Sequence, residues 1–265
     1  MTLPNVLPLE SICNPRDLGG YRGLDGRRLK KGCLIRTGKI SNITPKDAHF
    51  LVDQLHLTQI IDLRTASERE KWPDPVLDHV QEKKISISSN DGAHTSPDVV
   101  RLRDFYDSDQ YAGFKNMCLA YRDMVVRPHS QQAFHDFLTQ VAQNPSGATL
   151  YHCSEGKDRT GMCTFFLLYL LGVDDGTIRA DYLYSNFMLT GHRQKLDDKL
   201  KRDGRNTTLR ASMRSLASVA NEYLDTALLH IEKDYGGLEA YLKNQLKVDD
   251  ELRKTLQEKY LEPAK

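Results

Sequence analysis

The chain has almost no net charge. Its 37 Lys and Arg against 36 Asp and Glu leave +1 over 265 residues. No global field therefore draws it to nucleic acid or to a membrane surface. It also lacks any Cys-x-x-Cys pair. Its five cysteines (Cys13, Cys33, Cys118, Cys153 and Cys163) are odd in number and widely scattered. Neither a disulfide framework nor a zinc ribbon is indicated, and a reducing compartment is the simpler setting. The first residues, Met1-Thr2-Leu3-Pro4-Asn5, show no basic stretch followed by an apolar one, so no signal peptide is expected. The expectation is a cytoplasmic protein, with secretion left open. The most apolar run, Met162 to Leu171, falls far short of the ~20 residues a membrane span needs; it reads as a buried helix, and no stable membrane insertion is expected. No clustered His, Asp or Glu set suggests a metal, and no cofactor is expected. No repeat, low-complexity tract or linker divides the chain, so a single domain over residues 1–265 is favoured.

What is present is an alternation of short strands and helices. Turn signals at Asn14-Pro15, Gly19-Gly20, Asp25-Gly26 and Lys31-Gly32 punctuate the first third. Cys33-Leu34-Ile35-Arg36 and Gln59-Ile60-Ile61-Asp62-Leu63 read as buried strands, and Val80, Ile85 and Ile87 suggest another. Thr44-Pro45 opens a helix through Leu55, with Thr44 as cap and Pro45 at the first helical position. Asn90 to Gln110 is irregular, either a lid or binding loop or a plain surface insertion. Tyr111 to Val126 and Gln131 to Ala142 read as helices, the second capped by Ser130. Ala148 to His152 reads as a strand, and everything after Arg159 is helical in character. The pattern predicts an α/β fold with a mostly parallel sheet of four to five strands flanked by helices, and a helical C-terminal region.

One decapeptide carries most of the chemistry: His152-Cys153-Ser154-Glu155-Gly156-Lys157-Asp158-Arg159-Thr160-Gly161. A strand ending at His152 delivers Cys153 into a tight loop whose backbone N–H groups form an anion nest. That loop feeds the N-terminus of a helix beginning near Arg159. Ser154, Glu155, Gly156, Lys157 and Gly161 complete the expected phosphate cradle. Such donors stabilise a thiolate as readily as a phosphate. Arg159 adds a planar fork matched to two phosphate oxygens. Cys153 is the expected nucleophile, Arg159 the phosphate ligand, and the Thr160 hydroxyl a hydrogen-bond donor to the sulfur when it departs. Cys13, Cys33 and Cys118 read as ordinary cysteines; Cys163 reads as core, with a disulfide to Cys153 conceivable under oxidation.

Phosphate ester hydrolysis also needs a general acid. Asp158 lies in the loop. Asp62 sits at the C-terminal end of a strand, where α/β sheets place ligand residues. Asp158 is preferred. The bland alternatives are a structural partner of Arg159 for Asp158, and an ion pair with Arg64 or Arg16 for Asp62.

This decapeptide resembles the signature of the bacterial atypical tyrosine and lipid phosphatases, whose loops end in Gly-Lys-Asp-Arg-Thr-Gly. Asn14 to Tyr21, Leu34 to Gly38, Ile61 to Arg64, Gly172-Val173, Asp181-Tyr182, Ser185-Asn186 and Tyr235-Gly236-Gly237 are similar to further segments of that family. The resemblance implies a cysteine-phosphatase fold with a helical lid in some members. It implies activity on phosphotyrosine, in some members also on phosphoserine, phosphothreonine and phosphoinositides, with inorganic phosphate as product and inhibitor. It also implies a phosphoinositide role for Lys157, the acid role for Asp158, and support of the loop by Arg16 and Asp17. Glu155 departs from the small or apolar residue usual there. Pointing into the mouth it would repel extra phosphates; pointing away it would be simply solvated. The alternatives of different chemistry are a rhodanese-like sulfurtransferase and a non-catalytic phosphate-binding module.

Overall fold

The computed structural model describes residues 4–88 and 105–263. A mixed sheet runs in the order β1-β2-β3-β6-β4-β5. Its strands are β1 (Asn5–Val6), β2 (Arg16–Asp17), β3 (Leu34–Thr37), β4 (Leu57–Asp62), β5 (Gln81–Lys84) and β6 (Ala148–His152). The four from β3 to β5 are parallel, while the two-residue strands β1 and β2 add antiparallel at one edge. These short additions take the count to six. The central strands bury both faces, which is why they read as apolar runs. Ile35, Leu150 and Ile60 sit in register and feed one apolar cluster; Ile61 and Tyr151, one residue on, feed the larger one.

Thr44 accepts a hydrogen bond from the Asp47 amide and caps α1 (Pro45–His49), which continues as a π-helical turn, Phe50–Gln54. α2 (Ala66–Lys71) begins with a capping box in which Thr65 and Glu68 satisfy each other's backbone amides. α3 (Ala112–Val126) and α4 (Pro128–Gln143) follow. Ser130 is not the cap of α4: it lies inside the helix, buried, and donates to the Ile87 carbonyl. Ile85 and Ile87 follow β5 rather than forming it, and Ile87 is buried beside Leu63.

α5 (Arg159–Leu170) starts where the loop ends, and ten of its twelve residues are buried. Truncating Phe166 at its centre should cost about 3–5 kcal/mol. The remaining helices are α6 (Asp175–Met188), α7 (Thr190–Arg202), α8 (Thr207–Leu216), α9 (Asn221–Tyr235), α10 (Leu238–Asn244) and α11 (Asp250–Tyr260). Residues 217–220 separate α8 from α9. Most of the expected lid or insertion, residues 90–104, lies outside the described residues.

Candidate active site

β6 is the inner strand, and at its C-terminal end His152 stands level with Thr37 of β3 and Asp62 of β4. The chain leaves the sheet there and turns through Cys153–Asp158 into α5. Gly156 makes the turn at φ 66°, and a Cβ at that position would lie 2.3 Å from the Thr37 carbonyl oxygen, so only glycine fits. The loop carbonyls are turned onto the scaffold. Gly156 O accepts from Asn14 Nδ2 and Arg36 Nη2, both at 2.8 Å, and Ser154 O accepts from the Lys39 amide. Among the described residues, the amides of Ser154 to Asp158 donate to no protein acceptor. They remain available for an anion.

The scaffold is itself charged and buried. Arg16 and Arg36 share the Asp181 carboxylate of α6, at 3.1 and 2.5 Å, and all three side chains are fully enclosed. Arg16 also donates to Asn14, which holds the loop. Burial alone would raise the Asp181 carboxyl, but the two guanidiniums outweigh it and hold it below the usual range. Burial and the neighbouring Arg36 charge bring Arg16 down to about 10.

Arg159 is held from its far side by Glu68 of α2, with Nη1 2.5 Å and Nη2 2.8 Å from the two carboxylate oxygens. Ser154 donates to the same carboxylate at 2.5 Å. Against the opposing effect of burial, these donors keep Glu68 ionised well below the ordinary carboxylate range. The Arg159 fork is thus oriented by a residue 91 positions away. His152 is pinned behind the loop, with Nε2 2.9 Å from Asp74 Oδ2 and Nδ1 3.2 Å from the Cys153 carbonyl.

A cavity of about 340 Å³ opens over the loop. Cys153, Ser154, Glu155, Asp158 and Arg159 line it with Ser11, Cys13, Lys39, Asn42, Leu189 and His192. Cys153 and Arg159, the two residues the spacing paired, therefore meet at one surface. Asp158 faces the same space, its Oδ1 accepting from Tyr121 at 3.0 Å and its Oδ2 from Lys157 at 2.8 Å. Glu155 does line the cavity, but its charge is not bare: it lies 3.1 Å from His192 Nε2 and 3.4 Å from Lys157 Nζ.

Other expected residues lie elsewhere. Asp62 is fully buried and both its oxygens are taken by Arg64, at 2.8 and 2.7 Å, so it does not reach the cavity. Its ion pair with Arg64 accounts for it. Asp17 does not support the loop; it ties the Gly19 and Gly32 amides in the N-terminal turns. The buried Thr160 hydroxyl has no hydrogen-bond partner among the described residues. Lys157 is buried and spends its ammonium on Asp158 and the Leu216 carbonyl rather than on the cavity. Despite burial, the Asp158 and Glu155 carboxylates keep its pKa raised. Gly161 is also buried, behind the loop.

Asp62, Asp74 and His152 come close enough to ligate a metal. The Arg64 guanidinium already stands there, 2.7 Å from each aspartate, so that cluster is a charge-neutralising support for the loop. Cys13, the second thiol in the cavity, is exposed at its wall, yet partial loss of water around the sulfur and the nearby Glu155 and Cys153 push it up to about 11, which keeps it a thiol. Cys163 is buried under the loop and raised further.

Residues 7–262 match the model of the tyrosine phosphatase family. The chain belongs to that family. It is 33% identical over 246 residues to H16_A0669 of Cupriavidus necator, whose name assigns it provisionally to the tyrosine-protein phosphatases; the match covers 92% of this chain and 85% of that one. It is 26% identical over 262 residues to a tyrosine-protein phosphatase of Nostoc commune, covering 91% and 81% of the two chains. It is also 26% identical over 241 residues to the triple specificity protein phosphatase PtpB of Mycobacterium tuberculosis, covering 82% and 86%. No helix among the described residues is long and apolar enough to cross a membrane.

Proposed function

We propose that this phosphatase hydrolyses phosphate monoesters, phosphotyrosine foremost, through a phosphocysteine on Cys153. The observation that carries the reading is Cys153 and Arg159 lining one cavity over a loop whose amides lack protein acceptors among the described residues. The loop amides and Arg159 take the phosphate oxygens. The Cys153 thiolate attacks phosphorus as the ester P–O bond breaks, and Asp158 gives a proton to the leaving oxygen. Water then attacks phosphorus, Asp158 takes its proton, the P–S bond breaks, and inorganic phosphate leaves. Arg16 acts on the loop through Asn14, not on substrate.

Phosphoserine, phosphothreonine and phosphoinositides are secondary substrates in this reading. The absence of Lys157 from the cavity lining, its ammonium being held by Asp158 and the Leu216 carbonyl, and the presence of Glu155 there support a preference for a single phosphate. All five cysteines are free, which supports a reducing, cytoplasmic setting. The family match over 7–262 supports one phosphatase domain.

Hydrolysis of p-nitrophenyl phosphate in EDTA, lost in Cys153→Ser, is the expected result. Activity that survives Cys153→Ser, or none in the wild type, would defeat the reading. A phosphotyrosine peptide should be turned over faster than a polyphosphorylated inositol headgroup.

A further inference from the structure

We propose that Tyr121 is a positioning residue for proton transfer at Asp158, with Tyr182 holding Tyr121 in place. This inference rests on the reading of Asp158 as the general acid. Tyr182 of α6 donates to the Tyr121 hydroxyl at 2.8 Å, and Tyr121 of α3 donates in turn to Asp158 Oδ1 at 3.0 Å. Each phenol has one proton: Tyr121 gives its own to the carboxylate, and Tyr182 shares its own between the Tyr121 oxygen and, at a longer 3.3 Å, the Ala220 carbonyl. Both rings are buried and meet edge-on, 6.2 Å apart at 73°.

The signature glycine makes room for this chain. A Cβ on Gly161 would lie 3.1 and 3.3 Å from the Tyr182 ring, closer than the ring can accept without moving. Gly161 thus acts through Tyr182. Burial first, and then the Asp158 charge, hold the Tyr121 phenol protonated far above its ordinary range. It is therefore an O–H donor at every working pH. The other groups acting on Asp158 are Lys157 from the loop, itself also paired with Glu155, Arg159 from α5, and Tyr223 from α9. With Lys157 on Oδ2 and Tyr121 on Oδ1, the carboxyl is fixed in rotation while still lining the cavity.

The test is Tyr121→Phe, assayed on p-nitrophenyl phosphate and on phenyl phosphate, whose leaving group needs the proton far more. The expected loss in kcat/KM on phenyl phosphate exceeds that on p-nitrophenyl phosphate by about ten-fold. Because Tyr121 touches the proposed acid directly, its removal should also move the high-pH limb of the kcat/KM profile. In an Asp158→Asn background, Tyr121→Phe should add nothing. Tyr182→Phe should shift the same readouts less, and it carries the test if Tyr121→Phe does not fold. Equal losses on both substrates with an unmoved limb, or the same further loss without Asp158, would make Tyr121 a packing residue and overturn the proposal. A neutral Asp158→Asn would instead remove the acid reading itself, and the proposal with it.

Discussion

The wall behind the loop and the rim in front of it are built from the same residue types and behave as opposites. Behind, Arg16, Arg36 and Arg64 are fully enclosed, and their partners Asp181, Asp62 and Asp74 have almost no exposure. In front, α7 has no buried residue at all, and His192 meets Glu155 with its side chain 58% exposed. Buried pairs are expensive to break because the survivor is left charged in a poor solvent, whereas exposed pairs contribute about 0–1 kcal/mol. The wall therefore fixes where the loop stands. The rim can alter only what approaches it.

The sharpest way to break that contrast is Asp181→Asn, which strands two buried guanidiniums. Unfolding free energy in urea should fall by about 3–5 kcal/mol; a loss under about 1 kcal/mol would erase the distinction. The sign with pH follows from the lowered Asp181 carboxyl. Its contribution is present above the unfolded aspartate value of about 4 and is lost as pH falls through the lower folded value. The wild-type urea midpoint should thus drop below pH 4 more steeply than that of Asp181→Asn. Next in size is Glu68→Gln, which keeps the shape and removes the charge that orients Arg159. We expect kcat/KM to fall roughly ten- to a hundred-fold, inhibition by inorganic phosphate to weaken, and thermal stability to change little. Normal phosphate inhibition would mean that Arg159 needs no second anchor. The smallest effect is at the rim. Glu155→Ala should change stability by about 0.5 kcal/mol or less. It should shift preference toward a polyphosphorylated inositol headgroup by about three-fold at low salt, fading as salt screens the charge. An unchanged preference ratio would assign Glu155 no part in selection.

The strand, loop and helix were readable because they are local: five apolar-rich residues, a Cys-to-Arg spacing and an apolar helix lie within 23 positions, from Ala148 to Leu170. The pairing of Asp62 with Arg64, two residues on, was also within reach as the bland alternative. What could not be read are the contacts made by sequence-distant partners. Thr65-Ala66-Ser67-Glu68 announces a helix start, yet nothing in it says that the capping glutamate also holds Arg159. Asn14, Arg36 and Asp181 stood in segments similar to the family's, but their convergence on Gly156 and on one another needs the folded sheet. Asp17 misled because strand alternation sends it away from its neighbour Arg16.

Among the described residues the sheet ends at β5, whose four residues are Gln81, Glu82, Lys83 and Lys84, three of them exposed. An edge strand offers its backbone to any other strand that comes alongside. Here a second copy pairing edge to edge would have to set lysines among lysines and bury carboxylate and ammonium groups that water now solvates. The charge that makes β5 hard to recognise as a strand thus also works against edge-to-edge pairing of its own sheet.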